Sequence, residues 1–121
     1  MRNIFLIAAA LALVATAAQA GDAANGKTVF ARCAICHTVQ KGGPNGLGPN
    51  LFGVVGRKSA SLPTFMYSGA LKSSGITWTP DKIKAWVQGP MRMVPGTKMA
   101  FAGLSSPKQA DDVVAYLSTL K

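Results

Sequence analysis

The chain has 121 residues, 49% of them hydrophobic, with 13 Lys+Arg against 4 Asp+Glu, one His, two Cys and a formal net charge of +9. That length allows one small domain and excludes a multidomain enzyme. The two cysteines, Cys33 and Cys36, stand too close together to staple distant segments, so a disulfide between them would stabilise little.

Met1 to Ala20 reads as a cleaved secretory signal peptide. Arg2 supplies the positive start, Ile4 to Ala15 the apolar middle, and Ala18-Gln19-Ala20 the small-x-small pattern cut by a signal peptidase. The rival, an uncleaved membrane anchor, is disfavoured because the apolar run is Ala-rich and shorter than the ~20 residues that span a bilayer. Cleavage leaves residues 21–121 and, with Arg2 gone, lowers the formal charge from +9 to +8. The expected product is a small, basic, soluble periplasmic domain. Exported domains of this size bury little apolar surface and often add disulfides or a metal. Here something else must complete the core.

The remaining elements predict an all-α fold. A first helix is expected over Asp22 to Cys33, with Asp22 as N-cap and Val29, Phe30 and Cys33 at helical spacing. Residues 38 to 66 are rich in Gly, Pro, Asn and Ser, and so long an irregular stretch in a compact domain implies that it wraps something. A helical turn is expected from Ser68 to Ser74, stopping at Gly75. Thr79 then caps a helix that starts at Pro80, buries Ile83, Trp86 and Val87, and ends at Gly89-Pro90. In the last helix Ser106 and Gln109 form a capping box, and Val113, Tyr116, Leu117 and Leu120 give one apolar face.

The chemistry is concentrated in Cys33-Ala34-Ile35-Cys36-His37. Two thiols at this spacing can add across the two vinyl groups of a haem, and the His directly after the second thiol is then placed to bind the iron. A dithiol redox motif expects a βαβ context and leaves His37 unexplained. Zinc needs a fourth ligand, and the chain has no further Cys or His, only four Asp. Burial of haem c, held covalently by Cys33 and Cys36, would contribute on the order of 10 kcal/mol, which answers the core problem. One His leaves a sixth iron position to fill, for which the soft candidates after the leader are Met66, Met91, Met93 and Met99. Any of them can equally be a flexible core filler. Met99 differs in sitting on the constrained loop Pro95-Gly96-Thr97-Lys98, between two predicted helices.

These residues resemble the class I c-type cytochromes of the mitochondrial cytochrome c and bacterial cytochrome c2 type. The likeness spans Gly21 to Lys121 and runs through Cys33 to Val39, Gly48-Pro49-Asn50-Leu51, Gly56-Arg57-Lys58 and Gly75-Ile76-Thr77-Trp78. It continues through Pro95 to Met99, Phe101-Ala102-Gly103 and Ala115-Tyr116-Leu117. The resemblance implies a small cytochrome c fold with His37 and Met99 as axial ligands, and Pro49 as the carbonyl orienting the His37 ring. It sets Tyr67, Trp78 and Arg57 around the haem propionates and Phe101 in the haem pocket. It also sets Gly26 and Phe30 where the first helix crosses the last at Tyr116 and Leu117. Trp86 stands where the family usually has a Tyr facing the Met ligand, and Leu71 where an Asn commonly joins a water network, which implies a drier pocket. Thr28 and Met91 replace two lysines of the family's haem-edge ring.

The function implied is a monohaem electron carrier, not an enzyme, moving single electrons between membrane-bound or periplasmic redox proteins of a respiratory or related chain. The expected partners have acidic docking faces, such as a bc1-type complex, an oxidase, a reaction centre or a dehydrogenase. Lys27, Arg32, Arg92, Lys98 and Lys108 are expected to lie near the haem edge and steer such encounters. Export argues against nucleic acid as a partner, membrane encounters would be peripheral, and the protein would be a monomer. The alternatives are a haem-based gas-binding or sensor protein with a displaceable Met99, an electron-accepting module of a dehydrogenase, or an anchored cytochrome that keeps its leader.

Overall fold

The computed structural model describes residues 21–121; the expected leader lies outside them. Five α-helices follow in order: α1 (Ala23–Val29), α2 (Gly69–Ser73), α3 (Pro80–Gln88), α4 (Pro90–Met93) and α5 (Pro107–Ser118). Among the described residues the only β pairing is an isolated bridge between Lys58 and Thr77.

Asp22 caps α1 as expected, its carboxylate accepting from the N–H groups of Ala24 and Asn25 at 2.9 and 3.1 Å. The helix does not run on to Cys33. It tightens after Val29 into a 3-10 turn over Phe30–Arg32, with Cys33 N–H donating to Phe30 O at 2.8 Å. The tightening turns the Cys33 to His37 segment away from the helix axis. There a further turn closes through His37 N–H to Cys33 O at 2.8 Å.

α1 packs across α5, the partnership that organises the domain. Gly26 makes the crossing close, since a Cβ there would stand 1.8 Å from the carbonyl oxygen of Asp112 and 2.9 Å from Tyr116 Cβ. Phe30 meets Tyr116 with ring centroids 5.3 Å apart. The Asp112 side chain is only 1% exposed, yet it is fully engaged. It accepts from Asp22 N–H at 2.8 Å, Asn25 Nδ2 at 2.6 Å and Lys108 Nζ at 2.6 Å. A buried carboxylate without such donors would be costly. With them it ties the start of α1 to the start of α5, a role its charge gave no hint of in the sequence.

Thr79 and Ser106 cap α3 and α5 as expected, and Ser68 caps α2. Ser68 Oγ accepts from Leu71 N–H, Thr79 Oγ1 from Lys82 N–H and Ser106 Oγ from Gln109 N–H. Gly75, with φ +65°, lets the chain leave α2 in a left-handed turn. Two expectations need adjusting. Gly89-Pro90 does end α3, but Pro90 at once starts α4, because its fixed φ suits a first helical position. Leu120 lies beyond α5, where its carbonyl accepts from Gly53 N–H at 2.7 Å and ties the chain end to the long loop.

The segment from 38 to 66 has no regular element, as expected. Its order comes from side chains bonded to backbone. Buried Asn50 donates from Nδ2 to the carbonyls of Gln40 and Gly43 and accepts at Oδ1 from Phe52 N–H. Arg57 donates to the carbonyls of Asn50 and Phe52. The loop is then laced to the approach of α3 by Trp78 N–H to Arg57 O and Gly56 N–H to Trp78 O, both 2.8 Å.

Candidate functional site

Between the helices and the wrapped loop lies a cavity of about 740 Å³, within the range of cofactor sites. Its walls are largely aliphatic and aromatic, among them Phe30, Leu51, Val54, Ile83, Val87 and Leu117. The long loop closes it on one side and the Met99 segment on another.

Cys33, Cys36 and His37 all line this cavity, and the two cysteines are not joined to each other. Burial pushes the Cys33 thiol up, against the opposing pull of Arg32. His37 Nδ1 stands 2.7 Å from the carbonyl oxygen of Pro49. A carbonyl only accepts, so Nδ1 must carry the proton and Nε2 is left with a free lone pair. Burial lowers the His37 pKa, which favours that neutral ring, and the Pro49 bond works in the opposite direction.

Two glycines hold the loop against this turn. A Cβ at Gly48 would lie 2.5 Å from His37 Cε1, and one at Gly46 would lie 2.5 Å from Cys36 O. Gly48 N–H donates to Cys36 O at 2.9 Å. Only a residue without a side chain lets the backbone lie against the imidazole here. The spacing Gly46-x-Gly48 just before Pro49 was the signal available in the sequence.

Of the four candidate methionines, Met99 alone lines the cavity. Met66 and Met91 are 76% and 61% exposed, and Met93 borders a separate open cleft of about 500 Å³ beside α2 and α4. The Met99 segment is shaped by Gly96 at φ +90° and Gly103 at φ +104°. A Cβ at Gly103 would stand 2.2 Å from Gln88 O, so this glycine docks the loop on the end of α3.

Tyr67, Trp78, Arg57, Pro49, Trp86 and Phe101 line the same cavity, so every expected pocket residue is brought to it. Tyr67 Oη accepts from Leu62 N–H at 3.3 Å. Trp86 meets Trp78 edge-on, with centroids 5.2 Å apart. Leu71 is buried and lines the same cavity.

Arg32 and Lys98 line the cavity, together with Arg57 and Lys58, whereas Lys27, Arg92 and Lys108 do not. Lys108 is instead paired with Asp112, because the carboxylate buried at the helix crossing needs a cation. None of the four Asp lines the cavity.

The donor set and the enclosure fit a covalently held haem: two cysteine sulfurs three residues apart and not joined to each other, a neutral imidazole with one nitrogen free, a thioether, and apolar walls. Comparison with known proteins gives the same direction. The family model described as "Cytochrome c" matches residues 23–121. Cytochrome c2 of Rhodomicrobium vannielii is 44% identical over 117 residues, which covers 97% of this chain and 94% of that protein. Cytochrome c2 of Blastochloris viridis is 41% identical, covering 95% and 87%. Among solved structures, cytochrome cH from Methylobacterium extorquens superposes with a TM-score of 0.77 at 49% identity, covering 82% of this chain and 99% of that one.

Proposed function

This chain belongs to the cytochrome c family, and on that premise we propose that His37 and Met99 are the axial iron ligands of its haem, bound through Cys33 and Cys36. The protein is a monohaem electron carrier and not an enzyme, with one covalently attached haem c. The comparisons lend no support to a gas-binding or sensor role.

The observation that most supports the ligand assignment is that one cavity takes in both thiols, His37 and Met99, while the other methionines face solvent or a different cleft. When bound, the haem supplies a one-electron iron couple. Pro49 and Gly48 fix the His37 ring, so its Nε2 keeps one direction through both oxidation states. Gly96 and Gly103 hold the Met99 loop against α2 and α3, so little rearrangement accompanies electron gain or loss. Leu71, Ile83 and Val87 are apolar walls of the cavity that would keep water from a bound haem, and a thioether ligand in apolar surroundings would favour the reduced state.

Tyr67, Trp78 and Arg57 serve as the surroundings of the propionates, and Trp86 and Phe101 as pocket walls. Residues 1–20 serve as a cleaved signal peptide and 21–121 as the working domain, placing it in the periplasm; among the described residues no helix is long and apolar enough to cross a membrane. Its donor and acceptor are redox proteins with acidic docking faces, in a respiratory chain or a comparable one, met as a monomer and without lasting membrane contact.

Spectroscopy of the holoprotein tests the ligand pair. The oxidised protein should be low-spin with a weak far-red Met-to-iron band, and the reduced protein should not bind CO at neutral pH. Met99→Ala should abolish the band and admit CO. A variant that keeps the band would move the ligand to another methionine.

A further inference from the structure

Asparagine stands directly before glycine at Asn25-Gly26 and again at Asn45-Gly46. In such a pair the glycine backbone nitrogen can approach the asparagine side-chain carbonyl carbon, because no Cβ stands in the way. The two pairs are held very differently. Gly26 N–H donates to Asp22 O at 2.8 Å inside α1, and Asn25 Nδ2 donates to buried Asp112 at 2.6 Å. Because Gly26 also lies hard against the Asp112 backbone, α1 cannot turn that nitrogen toward the Asn25 side chain.

Asn45 lies instead in the irregular loop, just ahead of exposed Gly46. Its Oδ1 accepts from Asn50 N–H at 2.8 Å. Its Nδ2 stands 3.2 Å from Thr64 Oγ1 and 3.3 Å from Thr64 O, and Thr64 is itself exposed. No helix holds the Gly46 nitrogen, whose N–H makes one local bond to Gly48 O at 3.0 Å.

We propose that Asn45-Gly46 is a self-modification site, at which the folded domain converts Asn45 to aspartate and isoaspartate and so loosens the loop that braces His37. The Gly46 nitrogen gives its proton to hydroxide and bonds to Asn45 Cγ. Negative charge then gathers on Oδ1, where the Asn50 N–H already points. Once Cγ is tetrahedral, Nδ2 carries a lone pair, and the Thr64 hydroxyl that accepted from it can donate to it instead. The Cγ–Nδ2 bond breaks, Nδ2 leaves as ammonia with the Thr64 proton, and Thr64 recovers a proton from water. Water then opens the cyclic imide at either carbonyl, giving aspartate or isoaspartate. The net change is water in and ammonia out, with no oxidant or reductant.

The product disturbs what the amide held. A carboxylate at position 45 no longer donates to Thr64, and its charge faces the Thr64 carbonyl. Isoaspartate also lengthens the main chain just ahead of Gly46, where even a Cβ would stand 2.5 Å from Cys36 O. Gly48 N–H donates to that same carbonyl, and Pro49 beside it orients the His37 ring, so the displacement reaches the imidazole.

The test follows the full holoprotein at mildly alkaline pH by peptide mapping with mass spectrometry, beside the same protein unfolded in guanidinium chloride. Folded Asn45 should convert at least as fast as unfolded Asn45, whereas Asn25 should convert only on unfolding. Thr64→Val should slow the folded reaction about fivefold, the effect of one hydrogen bond made in the transition state, and leave the unfolded rate unchanged. The isoaspartyl form, separated by ion exchange, should show a lower melting temperature and a perturbed iron–His37 stretching frequency. Slower conversion of Asn45 in the folded protein than in the unfolded one overturns the proposal. So does a folded Thr64→Val protein that converts as fast as the wild type. An isoaspartyl form whose stretching frequency is unchanged overturns the link to His37.

Discussion

The imidazole of His37 donates from Nδ1 to the carbonyl of Pro49 at 2.7 Å, and the bond is possible only because Gly48 lets the backbone lie flat against the ring. Gly48→Ala would put a methyl group 2.5 Å from His37 Cε1. The ring or the loop must then move, at a cost of about 1–3 kcal/mol for overpacking. The expected variant has a lower melting temperature and a perturbed iron–His37 stretching frequency. Gly69→Ala, at the start of α2 with nothing within 4 Å of the new Cβ, is the control and should be neutral or slightly stabilising. Equal effects at the two positions would remove the special role of Gly48.

Gly26 carries a parallel constraint at the helix crossing. Alanine is favoured over glycine in a helix by about 1 kcal/mol. Here that gain is opposed by a Cβ placed 1.8 Å from Asp112 O, against backbone that cannot swing aside. Gly26→Ala should therefore destabilise by about 2 kcal/mol net, the ~3 kcal/mol upper range of overpacking less the ~1 kcal/mol helix gain, as α1 is forced off α5. Denaturant melts of the holoprotein measure it directly; a stabilised variant would mean the crossing can open at little cost.

Asp112 should set part of the acid stability. Its carboxyl is held well below the ordinary 3.8, at about 2, first by the Lys108 ammonium and then by the Asp22 N–H and Asn25 amide. A depressed folded-state pKa contributes stability that is fully present above the unfolded value and is lost as pH falls through the folded one. The loss should therefore occur between about pH 4 and pH 2. Lys108→Gln removes the largest cause, so the acid-unfolding midpoint followed by circular dichroism should move to higher pH. Lys108 is raised by the same bond, so its contribution should fade only in strong alkali, above its ordinary 10.5. An acid midpoint unmoved by Lys108→Gln would show that the backbone and amide donors suffice.

Trp86 packs edge-on against Trp78, and we expect that packing to be its main role. Trp86→Phe keeps an aromatic ring, loses part of the contact, and should destabilise by about 1–2 kcal/mol. The reduction potential and the alkaline stability of the far-red band should not change. A lower potential with a more alkali-resistant band would instead identify the indole N–H as a donor to the Met99 sulfur.

Much of the site was legible in the chain because its chemistry is local. Cys33, Cys36 and His37 lie within one turn, so their spacing alone fixes what they can hold together. The caps at Asp22, Thr79 and Ser106 were readable for the same reason, since a hydroxyl or carboxylate reaches only two or three residues ahead. The choice among four methionines was not local. From the residues alone Met99 had only its constrained loop to favour it, and tertiary packing distinguishes it by turning Met66 and Met91 to solvent and Met93 to another cleft.

The sequence by itself therefore determined the covalent attachment, the helical class and most helix starts, because each depends on neighbours along the chain. Only the tertiary structure decided that Asp112 is a buried tie rather than a surface charge and that Lys108 is spent on it. Those properties depend on which side chains meet across α1, α5 and the wrapped loop. Residues 22 and 112 come together there only because Gly26 lets two helix backbones touch.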